Sequence, residues 1–136
     1  MNPFKVRRFG WWILAIFFMM TLSPACSSRN IIPAKDIKSI IGKWEGYGYS
    51  TKMSDKFHMG LQVRGDGKWL MSMDTPYLSY GRVQEGVVWV EDDKFIMNCA
   101  TPGLNGTAEL HSSGGTLWLM YRSSDGLMRA DLTLVY

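Results

Sequence analysis

Short runs in which apolar and polar residues alternate fill the sequence from Gly42 to Tyr136. The clearest run is 57–63 (Phe-His-Met-Gly-Leu-Gln-Val), and the turn 64–68 that follows it contains two glycines. Alternation with a period of two is typical of a strand that buries one face, and glycine adopts the positive φ that a tight hairpin needs. This part of the chain therefore predicts strands and turns, with no helix of any length.

Turn residues recur about every ten positions, which is the spacing of a small all-β domain. We predict strands at 43–50, 57–64, 68–74, 77–84, 87–92, 94–100, 106–111, 116–122 and 127–135. Eight or nine short strands predict an antiparallel meander, and closing the meander into a barrel removes its two open edges. A β-sandwich is the alternative.

Alternate positions of these strands define a predicted inner face. Its members are Phe57, Met59, Leu61, Val63, Trp69, Met71, Met73, Val88, Val90, Phe95, Met97, Cys99, Ala108, Leu110, Leu117, Leu119, Met128, Ala130, Leu132 and Leu134. Trp89 and Trp118 are out of phase with this set. They are either exposed aromatic residues or signs that the register shifts by one residue.

Methionine is prominent on the predicted inner face, where Met59, Met71, Met73 and Met97 accompany Trp69. Methionine adapts to irregular shapes, which suits a cavity that holds a flexible apolar molecule. The same side chains would also fill the solid core of a barrel of about eight strands. These five residues are therefore candidate ligand-binding residues, with core packing as the alternative.

A second candidate site consists of aromatic residues that could form a protein-recognition patch. They are Tyr47, Tyr49, Tyr77, Tyr80 and Trp89. Ordinary cross-strand pairing is the alternative interpretation.

Charge is unevenly placed along the chain. Three of the 15 basic residues are Lys5, Arg7 and Arg8, so as many basic as acidic residues, 12 of each, remain after them. A domain without net positive charge lacks the electrostatic basis for nucleic-acid binding, and we expect no nucleic-acid partner.

The basic N-terminal residues precede an apolar run at 11–22, which is shorter than the roughly 20 residues of a membrane-spanning helix. The run ends in Leu22-Ser23-Pro24-Ala25-Cys26 and resembles a bacterial lipoprotein signal. The resemblance implies a signal peptide at 1–25, diacylglycerol linked to Cys26, and a membrane-anchored envelope protein. Because Ser27 is not aspartate, it implies the outer membrane, facing the periplasm, in a Gram-negative organism. Ordinary cleavage near Ala25 and an uncleaved anchor are the alternatives.

Residues 26–41 are expected to be a lipidated tether between the membrane and the domain at 42–136. Ile37, Ile40 and Ile41 have the spacing of one helical turn that packs on the domain. If Cys26 carries the lipid, Cys99 is a lone thiol, which we expect to be a buried small hydrophobic residue.

The first strand begins with Gly42-Lys43-Trp44, which resembles the start of the lipocalin and wider calycin families. In those families the tryptophan closes the narrow end of an up-and-down barrel, and a late arginine stacks over it. The resemblance implies structural roles for Trp44 and Arg129 and an apolar or amphipathic small molecule bound inside the barrel.

Nothing in the sequence supplies an activated nucleophile, an acid–base pair or a phosphate loop, so we expect neither an enzyme nor a cofactor. His58, His111 and Glu109 have no known metal-ligand spacing, and both histidines are expected to face solvent. Two functions remain: a small-molecule-binding barrel, and a protein–protein interaction or inhibitor module of the cell envelope with a solid core.

Overall fold

A computed structural model describes residues 29–52, 54–74 and 83–136 of the chain. In these residues every regular element except one short 3-10 helix, Ile37–Ile40, is an antiparallel strand. The strands are β1 (Asn30–Ile32), β2 (Gly42–Ser50), β3 (Asp55–Val63), β4 (Lys68–Asp74), β5 (Val83–Glu91), β6 (Lys94–Cys99), β7 (Gly106–Ser113), β8 (Thr116–Ser123) and β9 (Met128–Val135).

The eight strands β2–β9 form a closed ring. Each strand pairs with the next one in the chain, and β9 pairs back onto β2 from Lys43–Val135 to Ser50–Met128. The closing pair gives each of the eight strands two neighbours, so the backbone groups of the ring bond to one another. The prediction of an all-β meander closed into a barrel is therefore confirmed, and the sandwich alternative is wrong.

The strand β1 lies outside this ring. It pairs with the second half of β7, where Ile31 is opposite His111, whereas β6 pairs with β7 at residues 106–108. Just after β1, the Ala34 amide donates to the Asp93 carbonyl at 2.9 Å, and Ala34 is buried. β1 thus extends the barrel wall over a part of the β7 edge that β6 leaves uncovered.

The inner face follows the predicted alternation. Every position assigned to it is buried or half-buried. Trp89 faces outward from β5 next to inward-facing Val88, and Trp118 faces outward from β8 next to inward-facing Leu119. Both tryptophans are out of phase with the predicted inner face because they belong to the outer face. The register does not shift.

The gap between the predicted strands 77–84 and 87–92 implies a turn at Glu85-Gly86, and this prediction is wrong. Glu85-Gly86 lies inside β5, and the separate strands expected at 87–92 and at the end of 77–84 form a single strand. The reason is the Trp69 ring on β4: a Cβ atom at Gly86 would lie 2.4 Å from that ring and 2.1 Å from the Asn98 carbonyl oxygen. The glycine at position 86 therefore leaves space for the Trp69 side chain within a continuous strand, and it does not mark a turn. The remainder of the predicted 77–84 strand lies outside the described residues.

The segment assigned to the tether is partly structured. It contains β1 and the 3-10 helix, and in that helix Ile40 is fully buried while Ile37 packs on the core. The helical turn expected from the isoleucine spacing is therefore present, although Ile41 is exposed. Cys26 and the signal-like segment 1–25 lie outside the described residues. In the part of the chain that the structure describes, no helix has the length and apolar character needed to cross a bilayer.

Candidate functional site

The predicted ligand-binding residues share the interior of the barrel. Met59 on β3 pairs with Met73 on β4, and Met71 and Met97 lie on the same inner face. None of the four methionines is more than 2% exposed, and Trp69 is fully buried. The Trp69 indole N–H donates to the Val87 carbonyl at 2.9 Å. The structure therefore brings these five residues together in the core cluster of the barrel, where their side chains have almost no accessible surface.

Aromatic rings packed on glycines fill much of this interior. Besides Trp69 on Gly86, Phe57 packs on Gly48, where an added Cβ would lie 2.5 Å from the ring. Tyr121 packs on Gly106 in the same way, at 2.9 Å. An eight-stranded ring is just wide enough to be filled by side chains, and small residues opposite large ones let the inner layers interlock.

Trp44 lies at the barrel end that the 3-10 helix covers. Its ring is buried, and its indole N–H donates to the Ile40 carbonyl at 2.8 Å. The expected stacking of Arg129 over this ring is wrong. Trp44 pairs with Leu134, whereas Arg129 pairs with Tyr49 and places its guanidinium 5.6 Å from that ring. The physical reason is the strand period, because Arg129 belongs to the outer face of β9.

Tyr121 marks the opposite region of the barrel. Its hydroxyl donates to the carbonyl of buried Leu104 at 2.6 Å. Burial raises the pKa of the Tyr121 phenol far above its ordinary range, and the negative charges that Cys99 and Asp125 can carry raise it further. The phenol is therefore a permanent neutral donor that joins the loop before β7 to the barrel.

A groove with a volume of about 550 Å³ lies on the outer surface of β4, β5 and β6. Leu70 and Val87 line it and are 36% and 49% exposed. Val83 and Trp89 lie on the same outer face of β5, with Glu85 between Val83 and Val87. We call Leu70, Val83, Val87 and Trp89 the apolar stripe.

The groove also carries charged and polar groups. Arg64, Lys68 and Glu85 line it, and the Arg64 guanidinium lies 3.5 Å from Asp66. Cys99 borders the groove as a half-buried thiol that donates to the Thr101 carbonyl at 3.3 Å, so the expectation that it is a buried residue holds only in part. An apolar floor with charges at its rim suits contact with another protein.

Sequence reasoning missed the apolar stripe. The signal was present at residues 87–90, where four consecutive apolar residues replace the strict alternation. In a strand such a run places apolar side chains on both faces, so the outer face is apolar as well.

The predicted aromatic patch is not one surface. Tyr47 and Tyr49 lie on β2, three strands around the barrel from Trp89 on β5. Tyr47 contacts His58 edge to face, with ring centroids 5.8 Å apart. Tyr77 and Tyr80 lie outside the described residues.

The two histidines differ in burial. His58 is exposed as expected, but His111 is only 7% exposed because β1 packs beside it. The Nε2 atom of His111 lies 3.4 Å from Glu109, yet neither ring nitrogen makes a hydrogen bond. Within the described ranges, no three His, Cys, Asp or Glu side chains are arranged to hold a metal ion.

The chain matches no known protein family, and neither a curated protein nor a solved structure is similar enough to count as a match.

Proposed function

We propose that this chain is a non-catalytic lipoprotein of the bacterial cell envelope, with a lipocalin-like barrel that binds another envelope protein through the apolar stripe. The sequence around Cys26 supports a lipid anchor at that residue. In a Gram-negative organism the domain would face the periplasm from the outer membrane.

The contrast between the two faces of the barrel carries this proposal. The inner side chains have almost no accessible surface, whereas Val87, 49% exposed, and Val83, 62% exposed, present apolar surface to solvent. Apolar residues that are exposed together mark interaction sites more often than isolated ones do. The groove beside them supplies a concave surface in which a partner side chain can be buried.

The rim of the groove sets the chemistry of the partner. Leu70 and Val87 offer an apolar contact, and Lys68, which pairs with Val87 across the sheet, adds a positive charge beside it. Arg64 also lines the groove, where Asp66 lies 3.5 Å from its guanidinium, and Glu85 pairs with Leu70 across the sheet. A protein segment with one large apolar side chain next to a carboxylate would satisfy both features.

Affinity purification of the full-length protein from its host, after crosslinking, tests the proposal. Val87→Asp should abolish capture of the partner because it places a charge in the apolar contact. Val135→Asp is the matched control, since Val135 is also an exposed strand valine, at 43%, and lies on β9. Equal capture by wild type and Val87→Asp, with unchanged circular dichroism, would contradict the interaction module.

A small-molecule-binding barrel is the second candidate. Four methionines and Trp69 inside one eight-stranded barrel favour it, because methionine can repack around a ligand. Native mass spectrometry of protein purified from its host would reveal a co-purifying apolar or amphipathic molecule. Loss of that mass in Met71→Lys would place the molecule inside the barrel, and a barrel that is always empty would reject this function.

The lipid anchor has its own test. Metabolic labelling with palmitate should label the wild-type protein and leave Cys26→Ala unlabelled. Absence of label from both proteins would reject lipidation and leave the interaction module untouched.

A further inference from the structure

The outer faces of β8, β9, β2 and β3 form one continuous half of the barrel, which we call the tether wall. Three aromatic side chains lie on it, each with a cation over its ring. Arg29 lies 4.6 Å from the Trp118 centroid, Lys56 lies 5.0 Å from that of Tyr47, and Arg129 lies 5.6 Å from that of Tyr49.

The tether wall differs in charge from the other half of the barrel. At outward positions of its strands, with Arg29 included, it carries the basic residues Arg29, Lys43, Lys56, Arg122 and Arg129 and the acidic residues Glu45 and Asp131. Outward positions of β4–β7 carry the acidic residues Asp74, Glu85, Glu91 and Glu109 and the basic residues Lys68 and Lys94. Positive charge is therefore concentrated on the tether wall.

Arg29 joins the N-terminal segment to this wall. Its guanidinium lies 3.7 Å from the Asp131 carboxylate on β9 and 4.0 Å from the Met120 sulfur on β8. Cys26 precedes Arg29 by three residues, and three residues span at most about 11 Å. A membrane that held a lipid on Cys26 would therefore lie close to the tether wall.

We propose that the tether wall rests on the surface of the lipid bilayer, with its basic residues at anionic phospholipid headgroups and its tyrosine and tryptophan rings at the membrane interface. This inference depends on the lipid anchor at Cys26 in the proposed function. Lys and Arg are attracted to anionic lipid surfaces, and Tyr and Trp are enriched at the level of the headgroups. The acidic half of the barrel, with the apolar stripe, then faces away from the membrane.

The exposed residues Tyr47 and Val87 allow a direct test, because they lie on opposite halves of the barrel and are 58% and 49% exposed. Full-length lipidated protein with Cys99→Ser would carry a nitroxide spin label at Tyr47→Cys or at Val87→Cys. Each protein is reconstituted in vesicles of phosphatidylethanolamine and phosphatidylglycerol. Power saturation then compares label collisions with oxygen, which enters the bilayer, and with a water-soluble nickel chelate.

We expect the ratio of nickel to oxygen collisions to be severalfold lower for the Tyr47 label than for the Val87 label. Insertion of eight Gly/Ser residues between Ser27 and Ser28 should reduce this difference, because the longer linker no longer restrains the tether wall to lie close to the lipid on Cys26. Equal ratios for the two labels without the insertion would overturn the inference while leaving the lipid anchor intact. Mass spectrometry of the N-terminal peptide shows whether Cys26 carries a lipid. An unmodified Cys26 would refute both the lipid anchor and this inference.

Discussion

At the scale of single residues, buried polar groups that depend on one partner are the sites where small changes cost most. Tyr121 is the main example, because its hydroxyl and the Leu104 carbonyl satisfy each other in a buried region. Leaving a buried carbonyl without a donor lowers the free energy of unfolding by more than the net contribution of one hydrogen bond.

Tyr121→Phe should lower the free energy of unfolding by about 1–3 kcal/mol, the cost of leaving a buried acceptor unsatisfied. Chemical denaturation monitored by circular dichroism measures the change. Tyr49→Phe is the matched control, because Tyr49 is 37% exposed and its hydroxyl can reach water. Equal stability of the two variants would show that the Leu104 carbonyl finds another donor.

The turn between β8 and β9 contains a titratable group held in its charged form. The Ser123 hydroxyl donates to Asp125 at 2.6 Å and the Leu127 amide donates at 2.9 Å, and these bonds hold the pKa of Asp125 below its ordinary range. A lowered pKa in the folded state means that the carboxylate stabilises the turn above the unfolded pKa. That contribution is lost as the pH falls through the folded value.

Ser123→Ala should raise the pKa of Asp125 towards its ordinary value, because the strongest hydrogen bond to the carboxylate is removed. Carbon-13 NMR titration of the Asp125 carboxyl measures this directly. An unchanged Asp125 titration would show that the Leu127 amide, the Asp125 amide and the charge of Lys52 maintain the low pKa without Ser123.

At the scale of elements, the strands keep their curvature because glycine is placed where a neighbouring strand or ring comes close. Gly46 on β2 shows the effect most strongly: an added Cβ would lie 2.0 Å from the Asp131 carbonyl oxygen on β9. Glycines at such positions allow a strand to bend so that the sheet can close.

Gly86→Ala should destabilise the barrel by about 1–3 kcal/mol or more, because the new methyl group overlaps the Asn98 backbone and the Trp69 ring. Thermal unfolding followed by tryptophan fluorescence measures the loss. Gly65→Ala is the control, since a Cβ there meets only Ile41 at 3.7 Å. If both variants unfold at the wild-type temperature, the Trp69 ring does not need a glycine at position 86 in order to pack there.

At the scale of the whole molecule, closure makes the ring one cooperative unit. The pair Lys43–Val135 joins positions from the two ends of the domain, and the ring is complete only when this pairing has formed. Non-local pairing of this kind slows folding and couples every strand to its neighbours.

Unfolding should therefore be a single transition by every probe. Far-UV circular dichroism reports the strands, and tryptophan fluorescence reports buried Trp44 and Trp69 together with the outward-facing Trp89 and Trp118. The two curves should superimpose in guanidinium chloride. Separate midpoints would show that part of the ring opens on its own.

Strand alternation predicted the architecture, and the positions that it assigned to the inner face are buried or half-buried, because burial of one face leaves a period of two in the sequence of each strand. The predicted inner face omitted Tyr121, which is also fully buried. The prediction from alternation failed where the position of a residue depends on a neighbour that is distant in the sequence. Gly86 looks like a turn until Trp69 on the neighbouring strand is known, and His111 looks exposed until β1 is placed beside it. Arg129 was assigned from a resemblance, which does not take the strand's own phase into account.

The outer strand β1 has a mechanical consequence. Tension on the chain ahead of Arg29 would load the three residue pairs between β1 and β7 along the strand direction, and these pairs can separate while the eight strands of the ring stay paired with one another. Release of β1 and the 3-10 helix would free residues 29–41, which span about 45 Å when fully extended. Further tension would extend this released segment while the eight strands of the barrel stay paired.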